Sequence, residues 1–198
     1  MADNSREKTR TIVLISMFST IAFLLQLLEI PIAIQGFKYD FSDIPALLIS
    51  FSMGPIFGVL VELFKNLLHW MVRGDVFGGI GHMMNFVAGA TFVAIAGKIY
   101  WKKKTMKNAV KAMAISSIIS VFVMVTVNMI VYPMFFASVN HSTFIQSFNY
   151  MMKIYLVPII IFNFIKYGIA SGVTFLVYKR ISNFLKSYLP KRVEGGNR

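Results

Sequence analysis

The sequence predicts an all-α integral membrane protein, with six transmembrane helices in a single domain (1–198) and both termini cytoplasmic. Three observations carry this. Hydrophobic residues fill 57% of the 198 positions and charged residues only 14%, where a soluble domain carries about a quarter charged. The apolar residues fall in runs long enough for a spanning helix, about 20 residues each. The net charge of +12 gathers in short basic clusters between those runs, the pattern of a positive-inside membrane protein rather than of a nucleic-acid binder.

The first segment covers about 10–30. A polar, basic start, MADNSREKTR, precedes a nearly unbroken apolar run over 11–28. That run is longer than a signal-peptide core and no small-x-small cleavage site follows, so it is expected to be a retained helix. Glu29 and Pro31 end it. The second segment, about 42–53, has only a dozen residues before Gly54-Pro55. It must be tilted, buried by neighbours or extended into the loop before it. The remaining segments are about 55–72, 83–101, 109–135 and 154–180.

Lysine and arginine set the orientation. Arg6, Lys8 and Arg10 precede segment one. Lys98, Lys102, Lys103, Lys104, Lys107 and Lys111 lie between segments four and five. Lys179, Arg180, Lys186, Lys191 and Arg192 follow segment six. Even numbers of spans separate the three clusters, so all fall on the cytoplasmic side. The outer connections are then 31–41, 73–82 and 136–153. They hold Tyr39, Asp40, Asp43, Arg73, Asp75, a GGIG run (78–81) and SVNHSTFIQSFNYMMK. Loops on a rigid scaffold commonly carry function, which places a binding site toward the outside.

Several chemistries are excluded or unsupported. The chain has no cysteine, which rules out disulfides, thiolate metal sites and thiol catalysis. His69, His82 and His141 show no ligand spacing. HExxH, GxSxG and the phosphate-binding GxxxxGK[ST] are missing, so the chain carries no ATPase of its own.

A few polar residues stand out in the apolar runs. Lys166 lies roughly 18 Å into segment six, near mid-membrane. A lysine there costs roughly 2.5–3.5 kcal/mol on insertion scales and needs a partner or a cavity. Asn163 sits one turn above on the same face, with Asn128 in the outer part of segment five and Asn85 at the outer start of segment four. Together they can line one cavity and read carbonyls, imides and hydroxyls. Each Asn can equally serve as a tie between helices, and Lys166 can pair with Glu62. Glu62 also has Lys65 and Asn66 on its own helix for an internal ion pair. The aromatic residues next to these groups are Phe37, Tyr39, Phe41, Phe77, Tyr132, Phe135 and Phe162, rings on which a flat ligand can stack.

Four stretches, in order, resemble a known family: DFSDIPALLISFSMGPIFGVL (40–60), FKNLLHW (64–70), GHMMNFVAG (81–89) and NFIKYGIASG (163–172). With six spans and two inside termini they are similar to the riboflavin-specific S components of energy-coupling factor (ECF) vitamin transporters. The resemblance implies a multi-pass cell-membrane protein among lipids that binds riboflavin as transported ligand, with no cofactor, no enzymatic activity and no nucleic-acid partner. It implies association with a transmembrane coupling subunit and two cytoplasmic ATPase subunits. By position, the family's polar contacts fall on Asn85, Asn128, Asn163 and Lys166, and a covering loop on 31–42, with Phe37, Tyr39, Asp40 and Phe41 near the ligand. Asn163, Asn128 and Lys166 are expected at the carbonyl and imide edge of the ring, Asn85 and the Gly78-Gly79 turn at the ribityl hydroxyls. The family's small-residue AxxxA docking pattern on the first helix reads Ser16 and Thr20 here. Where its fourth segment has an acidic residue in G-E-x-x-N-F, this chain has His82. The alternatives are an S component for thiamine, biotin or folate, or a stand-alone secondary transporter.

Overall fold

The computed structural model describes residues 2–32, 37–74 and 78–188. Asp75, Phe77, Lys191 and Arg192 lie outside these. Helix α1 (Ala2–Leu27) buries Leu14, Phe18, Ala22 and Gln26, four residues apart along one stripe. Ile12, Val13, Met17, Ile21 and Leu24 face outward. The helix stops before Pro31. There the chain forms a short antiparallel hairpin of β1 (Ile30–Pro31) and β2 (Lys38–Tyr39), with Ile30 opposite Tyr39.

The stretch after this hairpin is not a surface connection. Tyr39, Asp40 and Ser42 are buried, and the chain enters α2 (Asp43–Met53) already inside the bundle. Irregular backbone within a membrane protein is tolerated where protein surrounds it. All eleven residues of α2 are buried. At about 16 Å it is too short to cross a hydrocarbon core of about 30 Å. It is enclosed by α1, by α3 (Pro55–Arg73), by α4 (Ile80–Lys102) and by α7 (Leu156–Tyr188). The α2–α3 turn is Gly54, whose φ of 121° suits glycine, and Pro55 opens α3 where a missing N–H costs nothing. Trp101 of α4 donates its indole N–H to the Ser50 and Phe51 carbonyls (3.0 and 3.2 Å), satisfying the end of α2.

Helix α5 (Met106–Asn140) runs past the expected limit of 135, with Pro133 inside it. The segment 136–153, expected as a connection, is largely helical. Beyond the end of α5 stands α6 (Phe144–Ile154), opened by a capping box between Thr143 and Gln146. Tyr132, Phe136, Tyr150 and Tyr155 stack where α5, α6 and α7 meet. Among the described residues five helices are long and apolar enough to cross a membrane, namely α1 from Ser5, α3, α4, α5, and α7 to Tyr178, with α2 a shorter apolar helix between them. The core runs through α2, where Phe51 stacks on Tyr100 at 4.5 Å, and onward to Phe92 against Tyr167 at 4.7 Å.

Candidate functional site

A cavity of about 640 Å³ opens at one end of the bundle. Its wall comes from the end of α1 (Gln26), the end of α3 (His69, Arg73), the start of α4 (His82, Asn85, Ala88), the middle of α5 (Met124, Asn128), the first half of α7 (Phe162, Asn163, Lys166) and the strand segment Phe37, Lys38 and Asp40. The first residues of α1 and the last of α7 therefore lie at the opposite end.

The expected polar residues converge here. Asn85, Asn128, Asn163 and Lys166 all line this one space. The Lys166 ammonium donates to Asn85 Oδ1 at 2.7 Å. Asn128 and Asn163 each donate one amide N–H to the carbonyl four residues back, on Met124 and Ile159, both at 2.8 Å. That ties both side chains to their own helices where they line the cavity. Phe37 and Phe162 also line it and stack on each other at 4.7 Å.

Other expected residues sit elsewhere. Tyr39 is buried behind the wall, edge-on to the half-buried Phe41 at 5.0 Å. Its hydroxyl has no hydrogen-bond partner among the described residues. Burial, with Asp43 and Asp40 nearby, pushes its phenol well above the usual range. Gly78 and Gly79 form the turn into α4, and the wall takes Gly74 and Gly81 instead. Ser16 and Thr20 face outward on α1, where Thr20 returns its hydroxyl to the Ser16 carbonyl at 2.9 Å. Tyr132 belongs to the α5–α6–α7 cluster.

Behind Lys166 lies a buried ionic quartet. Lys166 does not pair with Glu62. It faces Asp43 Oδ2 at 3.3 Å. Asp43 Oδ1 takes Lys65 at 2.5 Å, and Lys65 also meets Glu62 at 2.8 Å and Ser42 Oγ at 2.6 Å. Two ammonium groups and two carboxylates, all at most 5% exposed, cancel in charge. Such compensation is what makes buried charge tolerable. Asp43, placed by sequence among outer-loop residues, is its hub. Asp43 stands at the first turn of an otherwise apolar helix, and that was the available signal. A second set of amides joins in, with Gln26 and Asn85 both donating to Asn66 Oδ1 at 3.2 and 3.1 Å.

His69 and His82 are not scattered in space. His69 Nδ1 and His82 Nε2 are hydrogen-bonded at 2.8 Å, and Glu29 stands 3.8 Å from Nε2 of His69. They form the rim with Arg73 and the Lys38–Glu29 pair at 2.6 Å. Among the described residues no group of three or more His, Cys, Asp or Glu has the arrangement of a metal site.

Known proteins resemble this chain over nearly all of its length. The family model for "ECF transporter, substrate-specific component" matches residues 10–178. "Riboflavin transporter RibU" of Staphylococcus aureus is 35% identical over 184 residues, covering 91% of this chain and 94% of that protein. "Riboflavin transporter RibU" of Streptococcus thermophilus is 31% identical, covering 89% and 85%. "Riboflavin transporter FmnP" of Bacillus subtilis is 36% identical over 112 residues, 55% of this chain and 57% of that protein. A solved chain from "Structure and mechanism of the S component of a bacterial ECF transporter" superposes with a TM-score of 0.73 at 35% identity, covering 90% of this chain and 99% of that one. The chain belongs to the substrate-specific components of ECF transporters.

Proposed function

We propose that this chain is the riboflavin-binding subunit of an ECF vitamin uptake transporter, a multi-pass membrane protein that captures the vitamin and hands it to an ATP-driven module. One observation carries the reading: a single cavity joins a stacked aromatic pair to three amides and an ammonium at the end of the bundle away from the basic clusters. Its volume, about 640 Å³, falls in the usual range for small-molecule sites. The names of the relatives point to the same ligand.

In this reading the isoalloxazine ring enters against Phe37 and Phe162. Asn128, Asn163 and Lys166 meet its carbonyl and imide edge, which offers both acceptors and a donor. Asn85 and the polar rim meet the ribityl hydroxyls. The basic clusters lie in the cytoplasm, so the cavity opens outward and both termini are inside. The coupling subunit docks on the outward face of α1 around Ser16 and Thr20, where small side chains permit close helix approach, and two ATPase subunits complete the complex. The deep wall presents the Lys166 ammonium, which suits an acceptor edge rather than the cation of thiamine, and Glu62 is held by Lys65 away from it.

The test is the visible absorption of the protein purified in mild detergent, followed by quenching of added riboflavin fluorescence. A bound-flavin spectrum released on denaturation, or saturable quenching, supports the reading. A colourless protein that leaves riboflavin fluorescence unchanged overturns it.

A further inference from the structure

At the end of the bundle away from the cavity, α4 and α5 meet in a turn that the transport reading leaves without a role. Lys98, Lys102, Lys103, Lys104, Lys107 and Lys111 surround it, and all six are exposed. No acidic residue occurs between Asp75 and Glu194. Among the described residues none of the six is in an ion pair. No carboxylate among the described residues neutralises them.

The turn that presents them is held firmly. The Asn108 side chain donates to the carbonyls of Ile99 and Lys103 at 2.8 and 2.9 Å. Thr105 caps α5 by accepting the Asn108 N–H at 3.3 Å. Trp101 is pinned to the end of α2, and Lys104 lies over its ring at 3.6 Å. Part of the cost of ordering these cations is therefore met before any partner arrives.

We propose that this turn is a binding platform for the phosphate headgroups of anionic phospholipids. The surroundings favour lipid over a soluble acidic partner. Both helices end here as candidate spans. Met106 and Val110 are exposed on α5 directly beside Lys107 and Lys111, so apolar and basic side chains alternate as at a membrane boundary. Lys98, one turn inside α4, has a stem long enough to lie along the acyl region with its ammonium at the headgroups. Basic clusters next to spanning helices attract anionic leaflets by roughly fivefold in affinity per lysine. The platform stands roughly 26 Å along α4 from Asn85, so its lipid does not compete with the cavity's ligand.

Native mass spectrometry of the full chain in mild detergent tests this, with dioleoyl phosphatidylglycerol and dioleoyl phosphatidylcholine as probes. Wild type is expected to keep more phosphatidylglycerol. K102Q/K103Q/K107Q/K111Q is expected to lose that preference, and R6Q/K8Q/R10Q to retain it. Equal retention of the two lipids by wild type, or a preference unchanged in the quadruple variant, overturns the proposal. A second measurement needs no variant: lysine acetylation rates in nanodiscs of each lipid. Slower acetylation of Lys102, Lys103, Lys107 and Lys111 in phosphatidylglycerol supports the platform, and equal rates sink it.

Discussion

Lys166 is where the chemistry of single residues decides most. Its ammonium touches Asn85 and Asp43 and still borders the cavity. Lys166→Met removes a charge-assisted donor, and riboflavin affinity is expected to fall about 10- to 100-fold in a fluorescence titration. Normal binding by a folded variant would make Lys166 purely structural. Asp43→Asn should lower stability without ligand by about 3–5 kcal/mol, because two buried lysines then share the Glu62 carboxylate. Adding Lys166→Met to Asp43→Asn restores neutrality, so the double variant is expected to melt above Asp43→Asn alone. Additive losses would deny the pairing. Asn85, Asn128, Asn163 and Lys166 could be singled out from sequence because polar groups in apolar runs are conspicuous. Asp43 is visible as a charge opening an apolar helix, but its pairing with Lys166, 123 positions beyond it (166 − 43), is not, and neither is the contact of His69 with His82.

At the scale of elements, long apolar runs were legible, and the departures occur where packing overrides composition. The 136–153 segment is polar enough to resemble a loop, yet its T-x-x-Q box opens α6. Tyr39, Asp40 and Ser42 are buried although they precede α2, because the chain there leads directly into a helix that α1, α3, α4 and α7 enclose. Close approach of α3 and α4 depends on Gly89, where an added methyl would overlap the Glu62 carboxylate. Gly89→Ala is expected to cost about 1–3 kcal/mol through overpacking, read as a lower melting temperature without ligand. The stack of Phe37 on Phe162 lines the cavity beside β2. Phe37→Ala should speed riboflavin release more than it slows capture, since affinity differences reside mainly in the off-rate. Stopped-flow fluorescence separates the two, and an unchanged off-rate would show that Phe37 does not retain the ligand.

For the whole molecule, topology rests on counting spans between basic clusters, and a chain without cysteine allows a clean check. A cysteine at Thr143 should react with an impermeant maleimide on intact cells, and one at Lys103 only after permeabilisation. The reverse pattern would invert the orientation. The enclosure of α2 also constrains how the protein is made. Helix α2 is a shorter apolar helix set among the candidate spans, and every residue in it is buried. Lipid alone cannot settle a segment of about 16 Å that begins with a charged carboxylate. During synthesis its enclosure is completed only when α7, the last of the described helices, emerges and brings the Lys166 counter-ion. Nascent chains halted before residue 156 should therefore remain open to protease at 40–54, and full-length chains should not. The order of translation thus makes the emergence of α7 the step that locks the centre.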